Sequence, residues 1–155
     1  MHLNYYGLKR LVSSLKELLS GGTFVEAFSQ EKDELVLSFL TLEDTPFYIR
    51  ATLTSTFSCL SFPQDFKRSR RNSVNQFSQL EGQSISEIRI FDNERAFAFL
   101  FKEATLLFKM HGNRSNVILF EKDGSTTLFK NNLPHDQEIE VAKLDRLIER
   151  SKVLF

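Results

Sequence analysis

"ATLLFKMHGNRSNVILFEKDGSTTLFKN", residues 104–131, is the stretch that decides the fold. Three apolar runs, "ATLLFKM", "NVILFEK" and "STTLFKN", are separated by polar pieces long enough only for turns, and runs of this length read as strands. Asp123–Gly124, between the second and third, accepts the positive backbone φ of a hairpin turn. The three strands are therefore expected to pair antiparallel. The piece before the second run is less ordinary. His111, Arg114, Ser115 and Asn116 lead straight into the apolar Val117–Phe120. They are either turn punctuation or a polar site held at the mouth of a sheet.

The same pattern extends in both directions. "SISEIRIF" (84–91) and "RAFAFLFK" (95–102) read as a hairpin turning at Asp92–Asn93, with Phe97, Phe99 and Phe101 on one face. Nearer the amino terminus, "TFVEAFSQ", "DELVLSFL", "PFYIRATL" and "FSCLSF" form a second series of strands, with Pro46 suited to a strand start. Asn4 is placed to cap a helix carrying Leu8, Leu11, Val12, Leu15, Leu18 and Leu19 at helical spacing, stopped by Gly21–Gly22. Between the two series, Phe66, Val74, Phe77 and Leu80 fit one face of a helix ending near Gly82. Ile139, Leu144, Leu147 and Ile148 suit a terminal amphipathic helix. The order helix, strands, helix, strands, helix predicts an α+β domain: an antiparallel two-sheet β-sandwich flanked by helices.

Composition narrows the function classes. A chain of 155 residues, 41% apolar and 26% charged, suits one globular domain with a real core. Twenty basic and twenty acidic residues cancel, so affinity for a polyanion must come from local clustering. No run approaches the roughly 18 apolar residues of a membrane span. The opening "MHLNYYGLKR" has no export pattern, and Cys59 stands alone, so a reducing cytoplasm is the expected setting. Cys59 itself reads as a small buried hydrophobe.

Enzyme signatures are missing. There is no phosphate loop, no dinucleotide fingerprint and no Cys/His spacing for zinc, so neither metal nor cofactor is expected. His2, His111 and His135 lie far apart and read as surface residues. Glu94–Arg95, taken alone, reads as a surface ion pair. The basic run "KRSRR" is more telling. Lys67, Arg68, Arg70 and Arg71 repel one another, and they would sit at the helix end where the dipole disfavours cations. A local choice that opposes stability points to a ligand, and phosphates are the natural partner.

With these pieces placed, the chain resembles the amino-terminal domain of the NFACT family, which includes the bacterial ribosome-rescue factor RqcH and members described as fibronectin-binding proteins. The resemblance lies in four segments: "YYGLKRLVSSLKELLSGGTF", "SQEKDELVLSF", "RRNSVNQFSQLEGQSISEI" and "HGNRSNVILFEKDG", the last being the most specific. It covers roughly residues 4 to 130. Gly112, Ser115 and Asn116 occupy the positions of the family's Gly and Ser-Asn. Ser and Asn can also hold a turn by bonding nearby backbone groups, and that structural role competes with a binding one.

The resemblance implies a fold like the amino-terminal domain of formamidopyrimidine-DNA glycosylase, without that enzyme's chemistry. "MHL" offers neither its amino-terminal Pro nor its Glu. It further implies a non-enzymatic domain contacting tRNA and the large ribosomal subunit in ribosome-associated quality control. The family's Asp-Arg pair corresponds to Glu94–Arg95, with Glu replacing Asp, which puts chain tailing in doubt. The expected RNA contacts are Lys67, Arg68, Arg70, Arg71, Glu94, Arg95, Arg114, Ser115 and Asn116. The alternative is a protein-interaction or scaffold domain, fibronectin-binding-like, with RNA affinity located elsewhere. Family members continue into further regions, so residues 1–155 are expected to be one domain of a longer protein.

Overall fold

The computed structural model describes residues 5–54, 58–66, 73–91, 95–110 and 114–130. Helix α1 (Tyr5–Leu19) buries Leu8, Val12, Leu15 and Leu19 completely or nearly so, a stripe set by the helical repeat. It ends as expected. Gly21 takes φ 77°, and the Gly22 N–H donates to the Leu19 carbonyl at 2.8 Å. Gly22 is also pressed against the backbone of Leu40, where an added Cβ would lie 2.5 Å from the carbonyl oxygen.

Among the described residues, ten strands follow in two antiparallel sheets. The first contains β1 (Thr23–Ser29), β2 (Glu34–Leu40), β3 (Pro46–Leu53), β4 (Ser58–Ser61) and β5 (Val74–Gln76), in the order β4-β3-β2-β1-β5. The second contains β6 (Glu87–Phe91), β7 (Ala96–Leu100), β8 (Ala104–Lys109), β9 (Asn116–Glu121) and β10 (Thr126–Leu128), in the order β10-β9-β8-β7-β6. The α+β sandwich read from the sequence is therefore the architecture.

Phenylalanine fills the space between the sheets. Phe39 of the first sheet stacks on Phe99 of the second at 5.1 Å, and Phe97 stacks on Phe108 at 4.8 Å. Each fully buried ring contributes about 1.5–3 kcal/mol through burial alone. A bulge in β1 between Phe24 and Glu26 resets the alternation, which lets Phe24 and Ala27 both join this core. The other face of the second sheet carries a smaller apolar cluster of Phe91, Ala96, Ala98, Leu107 and Ile118.

The helix expected to end near Gly82 does not form over the described part of that segment. Val74–Gln76 is strand β5, and Phe77 with φ 51° opens a single 3-10 turn, Ser78–Leu80. Phe77 and Leu80 are buried as the periodicity required, but Val74 is 60% exposed. The edge of β1 explains the outcome. Pairing Ala27, Phe28 and Ser29 with Gln76, Asn75 and Val74 occupies backbone groups that an edge strand leaves open. Ser73, Val74 and Asn75 are weak helix formers and offer little resistance. Cys59 also departs from expectation: it is half-buried on β4 opposite Thr52 and lies outside the core. The expected terminal helix falls outside the described residues.

Candidate nucleic-acid interface

Strand register brings separate parts of the sequence to one rim. Ala96 pairs with Lys109, and Lys109 pairs with Asn116, so the starts of β7 and β9 flank the end of β8. Arg95 immediately precedes Ala96, and Arg114 lies two residues before Asn116. With strands about 4.8 Å apart, these two arginines leave the sheet from strands about 10 Å apart. Both are exposed, and among the described residues neither guanidinium has an ion-pair partner.

Arg95 is also held in an unfavourable backbone conformation. Its φ is 44°, in the left-handed region that favours glycine, and its carbonyl accepts the Met110 N–H at 3.0 Å. For a residue with a Cβ that conformation costs about 1–2 kcal/mol. Phe77 shares the strain but gains from burying its ring, being 3% exposed. Arg95 has no such return within the fold.

Ser115 and Asn116 differ from their neighbour Arg114. Both are completely buried, so neither side chain reaches a partner in solution. Asn116 instead acts as a clip. Its Oδ1 accepts the N–H groups of Val117 at 2.9 Å and Lys130 at 2.8 Å, and its Nδ2 donates to the Lys130 carbonyl at 2.9 Å. The amide thus satisfies both backbone groups of Lys130, as a further strand residue would. Only a side chain with both an acceptor and a donor can do this.

Lys130 carries the clip to the other sheet. Its Nζ donates to the Leu53 carbonyl at 2.8 Å and lies 4.0 Å from Asp33 Oδ1. Asp33 adopts φ 61°, which Asp tolerates, and accepts the Leu53 N–H through its backbone carbonyl at 2.7 Å. The β1–β2 turn, the end of β3 and the start of β9 are therefore locked together. Sequence reasoning missed Lys130, because nothing in "LFKN" distinguishes it from a solvated lysine.

The basic run lies outside the described residues, as does Glu94, but the flanks of the run are placed. Upstream, the Phe66 ring lies 5.8 Å from that of Phe28. Downstream, Val74 pairs with Ser29 at the β1 end that leads into the Asp33 turn. Both flanks therefore reach the end of the sandwich that carries Lys130 and the two rim arginines. Glu31 and Lys32, exposed in the β1–β2 turn, nearly cancel in charge there. At the opposite end, the Asp123 carboxylate accepts the Ser125 N–H at 2.8 Å, and this backbone bond, with a further bond from the Ser125 side chain, holds its pKa below the usual carboxylate value.

No family model matches the chain, and no curated protein matches it in sequence. Its fold does have solved counterparts. The N-terminal domain of the fibronectin-binding protein PavA from Streptococcus pneumoniae superposes with a TM-score of 0.65 at 19% identity, over 76% of this chain and 49% of that one. The N-terminal part of the fibronectin/fibrinogen-binding protein from Streptococcus suis gives 0.66 at 23% identity, over 81% and 51%. The fibrinogen-binding protein from Staphylococcus aureus gives 0.62 at 18% identity, over 79% and 47%. The matched region spans about half the length of each of these chains. At such identities the likeness is one of fold, and the fold is that of fibronectin-binding-protein amino-terminal domains.

Proposed function

We propose that this chain is an RNA-contacting domain of the NFACT type, without enzymatic activity of its own, working in cytoplasmic ribosome-associated quality control. Its partners are then tRNA and the large ribosomal subunit. The observation that carries this reading is Arg95. A bulky cation is exposed and, among the described residues, without an ion-pair partner, at a backbone position glycine would occupy more easily. Backbone strain at an exposed, charged residue is a pointer to function. Arg114 beside it, and the cationic run whose flanks reach the same end, supply the charge that phosphate contact requires. Ser115 and Asn116 enter as supports that fix Arg114 and the strand end, not as contacts.

The test is photo-crosslinking in cells from positions 95 and 114, followed by identification of what is captured. Ribosomal RNA or tRNA at both positions is the expected result. Capture of protein alone would overturn the reading in favour of a protein-docking domain. That second reading has its own support in the names of the structural neighbours, which describe fibronectin and fibrinogen binding. Six large apolar residues are exposed among the described residues, the most open being Tyr6 at 77%, Leu42 at 73% and Val74 at 60%.

A further inference from the structure

The outer face of the first sheet holds an arginine that the rim does not use. Register aligns Phe28, Val36, Arg50 and Ser61 in one row across β1, β2, β3 and β4. This row faces away from the core: Phe28 and Val36 are buried, at 3% and 1%, yet belong to neither of the two apolar clusters. Phe66 lies along the row. Its ring is 5.8 Å from that of Phe28, and the Arg50 guanidinium carbon lies 5.8 Å from its centroid.

Arg50 is held on two sides. Nε donates to Ser61 Oγ at 3.3 Å, and the guanidinium lies over the Phe66 ring. It is half-buried, and among the described residues it makes no ion pair. Its two terminal nitrogens carry four N–H donors in a fixed planar fork, for which the described residues supply no acceptor. A fully buried cation needs a paired charge, and this half-buried one has no carboxylate among the described residues. An oriented arginine fork without one matches the geometry of an anionic oxygen pair, and an aromatic ring on its face leaves that edge free.

We infer that Arg50, Ser61 and Phe66 form a second phosphate-contact site for RNA, on the outer face of the first sheet and separate from the rim arginines. Arg50 contributes the bidentate donor, Ser61 fixes its orientation and Phe66 shields one side from water. RNA is favoured over an acidic protein segment because four of the five residues following Phe66 are cationic, a density that suits a polyanion. Arg50 lies three residues from Leu53, the rim end of β3, which is roughly 10 Å along the strand. One strand of RNA can therefore touch both places. The inference rests on the RNA-binding reading and extends it to a surface that reading does not need.

The test uses the 155-residue chain and a fluorescein-labelled oligouridylate about 12 nucleotides long, titrated over a range of KCl. Arg50→Gln is expected to weaken binding about 3- to 10-fold and to lower the log–log salt slope by about 0.7, one single-strand phosphate contact. Its thermal midpoint should stay close to the parent's. If Arg50→Gln does not fold, Arg50→Lys replaces it: the slope should persist while affinity falls, because charge is kept and the fork is lost. An unchanged affinity and slope in Arg50→Gln, with Arg95→Ala weakened, overturns this site and leaves the rim standing. No binding by the parent chain overturns both. Loss of binding to polyglutamate, with oligouridylate unaffected, would reassign Arg50 to an acidic protein partner.

Discussion

Lys130 and Arg95 are two cations at the same end of the sandwich, and the fold treats them in opposite ways. Lys130 is 7% exposed, and its ammonium is bonded to a carbonyl of one sheet while its backbone is clipped by Asn116 of the other. Arg95 is exposed, unpaired among the described residues, and strained at its own backbone. Burial forces a cation to be satisfied by the protein, whereas exposure lets it wait for a partner. The contrast separates what holds this rim from what the rim holds. Substitutions should divide along the same line.

The largest effect is expected at Lys130. Lys130→Met keeps the stem but leaves the Leu53 carbonyl without its donor and Asp33 without its cation, at a cost of about 2–4 kcal/mol in urea denaturation. A change below roughly 0.5 kcal/mol would show that the cross-sheet lock is dispensable. Asn116→Asp should follow, at about 1–3 kcal/mol. It keeps the acceptor, removes the Nδ2 donor and faces the Lys130 carbonyl with a negative oxygen. Equal stability of the Asp variant would mean the clip works through its acceptor alone.

Arg95 should behave in the reverse sense. Arg95→Gly is expected to raise stability by up to about 1 kcal/mol, by relieving the left-handed strain, while losing RNA affinity. A variant that gains stability and keeps affinity would remove the functional account of that strain. The smallest effect belongs to the distant turn. Asp123 has a folded-state pKa below its unfolded value, so its contribution is present above the unfolded pKa and lost as pH falls through the folded one. Asp123→Ala should therefore lower the thermal midpoint slightly at neutral pH and not in acid. Parallel midpoint curves for parent and variant across that range would contradict the sign.

Most of the sandwich was legible because its strands are bounded by local signals. Pro46, Asp123–Gly124 and the apolar runs each act within a few residues. The misread element, β5, is stabilised by β1, some 45 residues earlier, and no local pattern encodes that pairing. The bulge at Phe24–Glu26 hid similarly, because both alternating sets of β1 are mostly apolar and do not mark a single inward face. The candidate site divides by range as well. Arg95 and Arg114 were legible as exposed because each sits in turn composition. The role of Asn116 was not, since its partner lies 14 residues on, and the Lys130 bond to Leu53 spans 77. Lys67, Arg68, Arg70 and Arg71 were legible as a charge density only.

The central claim is that the rim arginines bind RNA phosphate while contributing little to the fold. Titration of tRNA with the parent chain and Arg95→Ala, across KCl concentrations and beside their urea unfolding curves, tests it most directly. The account predicts a log–log salt slope of about −3 to −4 for the parent, and for Arg95→Ala a slope lower by about 0.9 in magnitude, with affinity weaker by about 1–3 kcal/mol. Stability of the two should agree within about 0.5 kcal/mol. Salt-independent binding, or an Arg95→Ala variant that keeps its affinity and loses stability, would contradict it.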